Sequence, residues 1–494
     1  MTTLTLADLV EGLYGVPAPH LANRPVREVV IDSRQAQAGD VFVALPGENT
    51  DGHLFVADAL QRGAIAAIIA RPEAAAIGDQ PVVRVDSSHP PPDTATALLL
   101  QVPDTLHALQ QLGAFWRARA AGPNLRVIGV TGSVGKTTTK EYIAQVLSSR
   151  YRVLKSAGNQ NNEIGIPLTL LRLRPEHERL VLEMGMYAIG EIAAYCAWAK
   201  PHVGVVTMVA AVHLERLGSI EAIAQAKSEL IAALPPADAG GVAILNDDDL
   251  RVRDMAALTR ARVVTYGLTP RADVWAEDVE SLGLSGIQLT LHHGRSTCHA
   301  RLPLLGRHSV HTVLRAAATG LVEGLSLEEV VEALCQPHEQ LRLMVARGPY
   351  GSIVLDDTYN ASRESTLAAL NLLAELSEEG LRIAVLGDML ELGELEQQVH
   401  KEVGCRAASA AEYVVGVGAR ARWICQAAVA CGAEPSHTFA VDTTEEALAT
   451  LQRIVTQKCV ILVKGSRGMH MERIVDELCG AAGPAPPLQH VGDQ

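Results

Sequence analysis

The stretch RVIGVTGSVGKTTTKEYIAQVL at 126–147 decides the fold class. It opens on a run of apolar, largely β-branched residues and passes through a short loop of Gly, Ser and Thr. It continues with Ile143, Val146 and Leu147 spaced for one face of a helix. Strand, glycine-bearing loop and helix in that order make an anion site: small residues let backbone N–H groups converge where the helix N-terminus is already partly positive. Thr131, Gly132, Ser133, Val134, Gly135, Lys136, Thr137 and Thr138 are therefore expected to cradle the phosphates of a nucleoside triphosphate. Lys136 would reach the β- and γ-phosphates and Thr137 would ligate Mg²⁺. The motif departs from the strict G-x-x-x-x-G-K-[ST] pattern, with Val130 where the first Gly should stand. The base-reading N-K-x-D motif of regular GTPases is absent from the sequence.

Outward from this loop, apolar runs of strand length alternate with helical stretches: RLVLEM, 188–198, VGVVTMV, 219–234 and GVAILN. That order predicts a parallel sheet covered on both faces, with ligands beyond the carboxyl ends of its strands. After Val263 the period changes to two (VWAEDVE, GIQLTL, TCHARLPL), which predicts an antiparallel appendage before a helix at 309–322. SIVLDD, LRIAVLGD, EYVVGVG and CVILVKG restart the alternation in a second doubly wound, Rossmann-like unit. VREVVI, DVFVAL and AIAAIIA make a small α/β unit at the N-terminus, and the Pro-rich Ser87–Pro103 reads as a linker. The expectation is an α/β chain of three domains, 1–103, 104–337 and 338–480, with a disordered tail at 481–494. Linkers near 104 and 338 would permit closure around a site.

A chain of 494 residues is too long for one core, since cores stop growing at roughly 250–300 residues. Its composition, 48% hydrophobic with 20% charged, excludes a disordered class. The net charge of −14 argues against a general nucleic-acid surface. No basic stretch followed by an apolar run opens the chain, and no run approaches the roughly 20 apolar residues of a membrane span, so a cytoplasmic protein is expected; a monomer is expected as well, although the sequence does not fix the oligomeric state. Cys196, Cys298, Cys335, Cys405, Cys425, Cys431, Cys459 and Cys479 are scattered without a C-x-x-C pair and read as reduced core residues.

A second chemical signal is a misplaced charge. In the helical stretch 219–234, Ile220, Ile223, Ala224, Leu230 and Ile231 define an apolar face, and Lys227 falls on it. Burial disfavours an ammonium and leaves a nucleophilic amine that condenses with CO₂ to a carbamate, an anion able to ligate Mg²⁺. Read from the residues alone, the alternatives are a snorkelling Lys227, a solvated Glu183 at the end of RLVLEM, and a loop His213 capping Glu215.

The chain resembles the Mur ligases. The resemblance rests on the T-G-S-x-G-K-T loop and on DSRQAQAGDVFVALPGENTDGH at 32–53, GNQNNEIGIPLTLL at 158–171, LEMG at 182–185, HLERLGSIEAIAQAKSEL at 213–230, DDTYNAS at 356–362, GDMLELGE at 387–394 and KGSRG at 464–468. It implies an ATP-dependent ligase with two Mg²⁺ sites, joining a carboxylate to an amine through an acyl phosphate. Lys136, Glu183, His213 and carbamylated Lys227 are then the catalytic residues, and Thr137, Glu183, His213 and Lys227 the metal ligands. It further implies UDP-N-acetylmuramoyl-tripeptide and D-alanyl-D-alanine as substrates. Asp32, Ser33, Arg34, Asp51, Gly52 and His53 would take the UDP-sugar, unless they are turn chemistry, with Asn161 and Asn162 also on the substrate. Ser309, Arg342, Asp356 and Asn360 would lie along the nucleotide, and Lys464, Ser466 and Arg467 would meet the carboxylate of the incoming dipeptide.

Some positions depart from the family's usual residues: Met208 and Ser309 stand for Asn, Leu305 and Arg363 for Pro, and Leu341 for Gly. Met208 and Ser309 would remove amide hydrogen bonds near the loop and the nucleotide base. Two other readings therefore stand beside the leading one: a related ligase with a different amine or acceptor, and a noncatalytic nucleotide-binding paralogue.

Overall fold

The computed structural model describes residues 3–47, 50–74, 82–85, 97–212, 214–336, 344–376 and 380–480. His213, Leu341, Arg342 and the 481–494 tail lie outside them. The described residues build three sheets. The central sheet runs in the order Ser296–Leu302, Ile287–His293, Val274–Ser281, Arg262–Gly267, Val242–Asn246, Val203–Val206, Arg126–Thr131, Arg179–Glu183, Val153–Lys155. Its seven strands from Val153 to Ser281 pair in parallel, and the two remaining strands add antiparallel; of the three period-2 segments, the last two thus form the expected appendage, whereas VWAEDVE is the last parallel strand, paired with Arg262–Gly267 on one side. The Arg126–Thr131 strand lies between Arg179–Glu183 and Val203–Val206, so the winding reverses there and opens a crevice at the carboxyl ends of these strands.

The N-terminal sheet is all parallel, in the order Val29–Val30, Val41–Val43, Ala66–Ile69, Ala97–Gln101, Val82–Val85. Here the linker expectation is corrected. Part of Ser87–Pro103 is a strand, Ala97–Gln101, whose Leu98, Leu99 and Leu100 are buried between two neighbours. Four consecutive apolar residues outweigh the adjacent Pro run, because a strand buried on both faces needs no alternation. The helix Thr105–Ala120 follows at once, and its Leu109, Leu112 and Trp116 join one core shared by the first sheet and the lower face of the central one. Position 104 is thus the N-cap of a packed helix, Asp104 accepting from the His107 N–H.

The C-terminal sheet runs Met344–Arg347, Ile353–Asp357, Cys459–Lys464, Leu381–Gly387, Tyr413–Val417, Thr438–Val441, parallel except for its first strand. The cysteine expectation also needs correction. Helices Glu396–Ala410 and Ala421–Ala430 pack together and bring Cys405 and Cys431 to a Cα separation of 5.1 Å, where they form a disulfide. Cys196, Cys425 and Cys459 are buried, whereas Cys298, Cys335 and Cys479 are only half-buried. Among the described residues no helix is long and apolar enough to cross a membrane.

Candidate active site

A cleft of about 1110 Å³ lies at the carboxyl ends of the central strands and is closed on its far side by the C-terminal unit. The phosphate loop forms its floor. Gly132 has φ +140°, and Gly135, with φ +82°, caps the helix Lys136–Ser148. The loop is tied to the next strand end by Ser133 N donating to Met208 O (2.8 Å), by the Ala210 N–H donating to Ser133 Oγ (2.9 Å), and by Thr207 Oγ1 donating to Val134 O (2.7 Å). These bonds fix the backbone amides that an anion requires. Lys136 Nζ folds back onto Gly132 O at 2.8 Å, and Ser133, Val134, Gly135, Lys136 and Thr138 line the cleft. Thr131, fully buried and donating to Met184 O (2.9 Å), Gly132 and Thr137 are not among the lining residues.

Glu183 and Lys227 line the same cleft. Glu183 closes the Arg179–Glu183 strand, beside Val130 in register; its Oε1 accepts from Asn161 Nδ2 (2.9 Å). Its Oε2, buried, accepts no hydrogen bond among the described residues and stands 3.8 Å from Lys140 Nζ. Lys227 is 3% exposed on the helix Ile220–Ala232, among Ile223, Ala226, Leu230 and Ile231, with no carboxylate paired to it among the described residues. Burial, and then the charge of Lys136, hold its amine well below the usual lysine range. Among the described residues no three His, Cys, Asp or Glu side chains group to hold a metal. The third expected ligand, His213, lies outside them.

Across the cleft the expectations divide. Asn360, Lys464, Ser466 and Arg467 line it, but Asp356 does not. Asp356 Oδ1 turns to accept from Thr358 N and Oγ1 (3.0 and 2.7 Å), and the next residue, Asp357, faces the cleft. Lys464, 1% exposed, is held by Asp357 Oδ2 at 2.6 Å and Asn360 O at 2.9 Å, and Ser466 Oγ accepts from Leu390 N (3.0 Å). Arg467 stacks over the Tyr359 ring at 5.6 Å. The two units touch where Glu215 Oε1 accepts from Gly393 N (3.3 Å) and Arg216 meets Glu391 (3.8 Å).

Asn161, Asn162, Met208, Leu305 and Ser309 also line the cleft. Asn162 Oδ1 caps the turn into helix Gly165–Leu171, accepting from Gly165 N (3.0 Å). Ser309 Oγ donates to Leu305 O (2.7 Å). Arg363 is engaged by Glu402. Asp32, Ser33, Arg34, Asp51, Gly52 and His53 do not line the cleft. Asp32 caps the short helix Ser33–Gln35 and pairs with Arg34 at 2.7 Å. His53, 1% exposed, bridges Asp51 Oδ1 (2.7 Å) and the Ala70 N–H (2.9 Å), so its ring is committed to the fold. The cleft also collects residues that the sequence reading missed: Asp248, Asp249, His308, His311, Thr312, Arg315, Tyr359 and Glu391. Arg315 carries a local signal, a charge among the apolar residues of VHTVLRAAATG, as Lys227 does on its own helix.

Sequence profiles match in three blocks: "Mur ligase family, catalytic domain" at 25–117, "Mur ligase middle domain" at 130–320 and "Mur ligase, glutamate ligase domain" at 342–467. The chain belongs to the Mur ligase family. It is 35% identical to the UDP-N-acetylmuramoyl-tripeptide–D-alanyl-D-alanine ligase of Bacillus subtilis, over 97% of this chain and 98% of that one. Among solved structures it is similar to MurF from Acinetobacter baumannii (TM-score 0.80, 32% identity, covering 97% of this chain and 99% of that one). It is also similar to the MurF ligase from Thermotoga maritima in complex with ADP (TM-score 0.73, 27% identity, 92% and 97%).

Proposed function

We propose that this chain is an ATP-dependent ligase that adds D-alanyl-D-alanine to UDP-N-acetylmuramoyl-tripeptide in peptidoglycan synthesis, in the cytoplasm. The near-full-length similarity to ligases of that name supports the substrates, and the ADP complex of the Thermotoga relative supports the nucleotide. The observation that carries the reading is the convergence of Lys136, Glu183 and Lys227 on one cleft that Asn360 and Arg467 face from the opposite unit.

The chemistry follows from the charges. The phosphate loop holds ATP by its amides, and Lys136 swings from Gly132 O to the phosphoryl group in transfer. The tripeptide carboxylate attacks the γ-phosphorus and ADP leaves. The dipeptide amine then attacks the acyl carbonyl, and phosphate departs from the tetrahedral centre to leave an amide. Mg²⁺ fits these residues, because Glu183 Oε2 is a buried carboxylate oxygen with no hydrogen-bond donor among the described residues. Glu183, Thr137 and Lys227 as its carbamate, together with His213, would hold two such ions; bound, they neutralise charge between γ-phosphate and carboxylate. Lys227 suits the modification because its amine is buried and cationic only at a cost. Residues 1–103 are assigned the UDP-sugar, 104–337 the ATP and 338–480 the amine. Arg467 is the better partner for the dipeptide carboxylate, since Lys464 already has Asp357.

The paralogue reading loses part of its motive, because Met208 holds Ser133 through its backbone carbonyl, whatever its side chain. The test is phosphate release over a panel of amines and acceptors. Release only with the tripeptide nucleotide and D-alanyl-D-alanine is expected; release with another pair instead would reassign the substrate, and tight ATP binding without any release would make the chain a noncatalytic binder.

A further inference from the structure

Arg315 lies on the helix Val310–Val322 and is 5% exposed, yet its guanidinium lines the cleft. No carboxylate among the described residues pairs with it. Its Nη2 donates to Thr312 Oγ1 at 3.0 Å, its carbon stands 5.9 Å from the Tyr266 ring, and its buried Nε has no hydrogen-bond partner among the described residues. Tyr266 is itself fixed, its hydroxyl lying 2.9 Å from Thr207 O. A guanidinium does not shed its proton, so this is a positioned, buried charge without a counter-ion among the described residues, an arrangement that is costly unless an anion completes it.

The place of that anion follows from the loop. Nη2 stands 3.3 Å from where a Cβ on Gly135 would sit, so the guanidinium packs against the turn whose amides form the anion cradle. Arg315 stands on the Gly135 flank of the loop, and the Lys136 side chain folds back onto Gly132 O. We infer that Arg315 is a further nucleotide-binding residue of this site, its fork holding the non-transferred phosphates of the nucleoside diphosphate portion while Lys136 serves the phosphate in transfer. This rests on the nucleotide reading of the cleft. Thr312 and Tyr266 are its positioning residues.

The test is titration of full-length wild type, Arg315→Gln and Arg315→Lys with ADP and with adenosine. Hydrogen bonds between charged groups are worth about 1.5–3 kcal/mol, so Arg315→Gln should weaken ADP by about 10–100-fold. Arg315→Lys should fall between, keeping the charge without the fork, and adenosine should be unchanged in both. The melting temperature of ligand-free Arg315→Gln should not fall, since an unpaired buried cation is removed. Equal weakening of ADP and adenosine would mean a structural role, and unchanged ADP affinity no role; either overturns the inference alone. Failure of the wild type to bind ADP would overturn the nucleotide reading with it.

Discussion

Adding one methyl group at Gly132 should disable the phosphate loop. Gly132 has φ +140°, and a Cβ there would overlap Thr207 Oγ1 and lie 2.9 Å from Thr207 Cβ and 3.0 Å from its backbone nitrogen. Backbone strain of about 1–2 kcal/mol, overpacking of about 1–3 and loss of the Thr207–Val134 hydrogen bond at about 1 bring the cost of Gly132→Ala to roughly 3–6 kcal/mol. Thr207 is pinned by its own N–H to Thr131 O, so the loop must move instead, and the amides that face the phosphates move with it. Urea unfolding and ADP titration read the two halves of this. Gly324→Ala is the control: φ is +93° and, among the described residues, nothing lies within 4 Å, so strain alone applies, about 1–2 kcal/mol with ADP binding intact. In the double variant Gly132→Ala/Thr207→Ala the hydroxyl overlap is gone, and a favourable coupling of about 1 kcal/mol or more is expected. If Gly132→Ala costs no more than Gly324→Ala and binds ADP like the wild type, the loop is not the rigid cradle described here.

Two further outcomes follow from buried charge. The Lys227 amine has its pKa depressed in the folded chain, so in CO₂-free buffer the unfolded state holds the proton where the folded one does not. Wild-type stability should therefore rise with pH up to about 10.5, and Lys227→Met should be flat there and more stable at neutral pH. Bicarbonate should stabilise only the wild type and add the mass of one CO₂; a Met variant less stable than the wild type without CO₂ would contradict this. His202 accepts from the Val127 N–H at its Nδ1 (3.1 Å), and burial, then Arg126, Arg117 and Arg179, push its pKa down to about 4. The unfolded chain takes up that proton near pH 6.5, so stability should be lost as pH falls from about 6.5 to about 4, by about 2 kcal/mol once screening of the partly exposed ring is allowed for, and His202→Gln should lack that component in acid urea titrations.

How far the sequence discloses this molecule depends on the range of the forces involved. The phosphate loop, the alternating strands and the antiparallel appendage are legible because local spacing sets them, and Lys227 betrays itself as a charge on an apolar face. Arg315 carries the same signal, but within a helix of higher apolar content, where a single charge stands out less. Longer-range choices are not legible. Ala97–Gln101 becomes a strand because two neighbours bury it. Asp357 faces the cleft and Asp356 turns to Thr358, by the alternation of a strand end whose register the parallel partner Cys459–Lys464 sets. Lys464 finds its carboxylate 107 residues away and Cys405 its partner 26 residues away, through packing that no local pattern encodes. DSR and DGH read equally as ligand loops and as turns; their hydrogen bonds here are those of caps and of a buried histidine tie.

The acyl phosphate is the step on which the whole account stands, and isotope transfer tests it most directly. The tripeptide nucleotide, with its terminal carboxylate labelled with heavy oxygen, would be converted with ATP and D-alanyl-D-alanine, and the released phosphate analysed by mass. If the carboxylate attacks the γ-phosphorus, one labelled oxygen leaves in each phosphate and the other remains in the amide. Amide formed with unlabelled phosphate would contradict that route and the roles assigned to Lys136, Glu183 and Lys227.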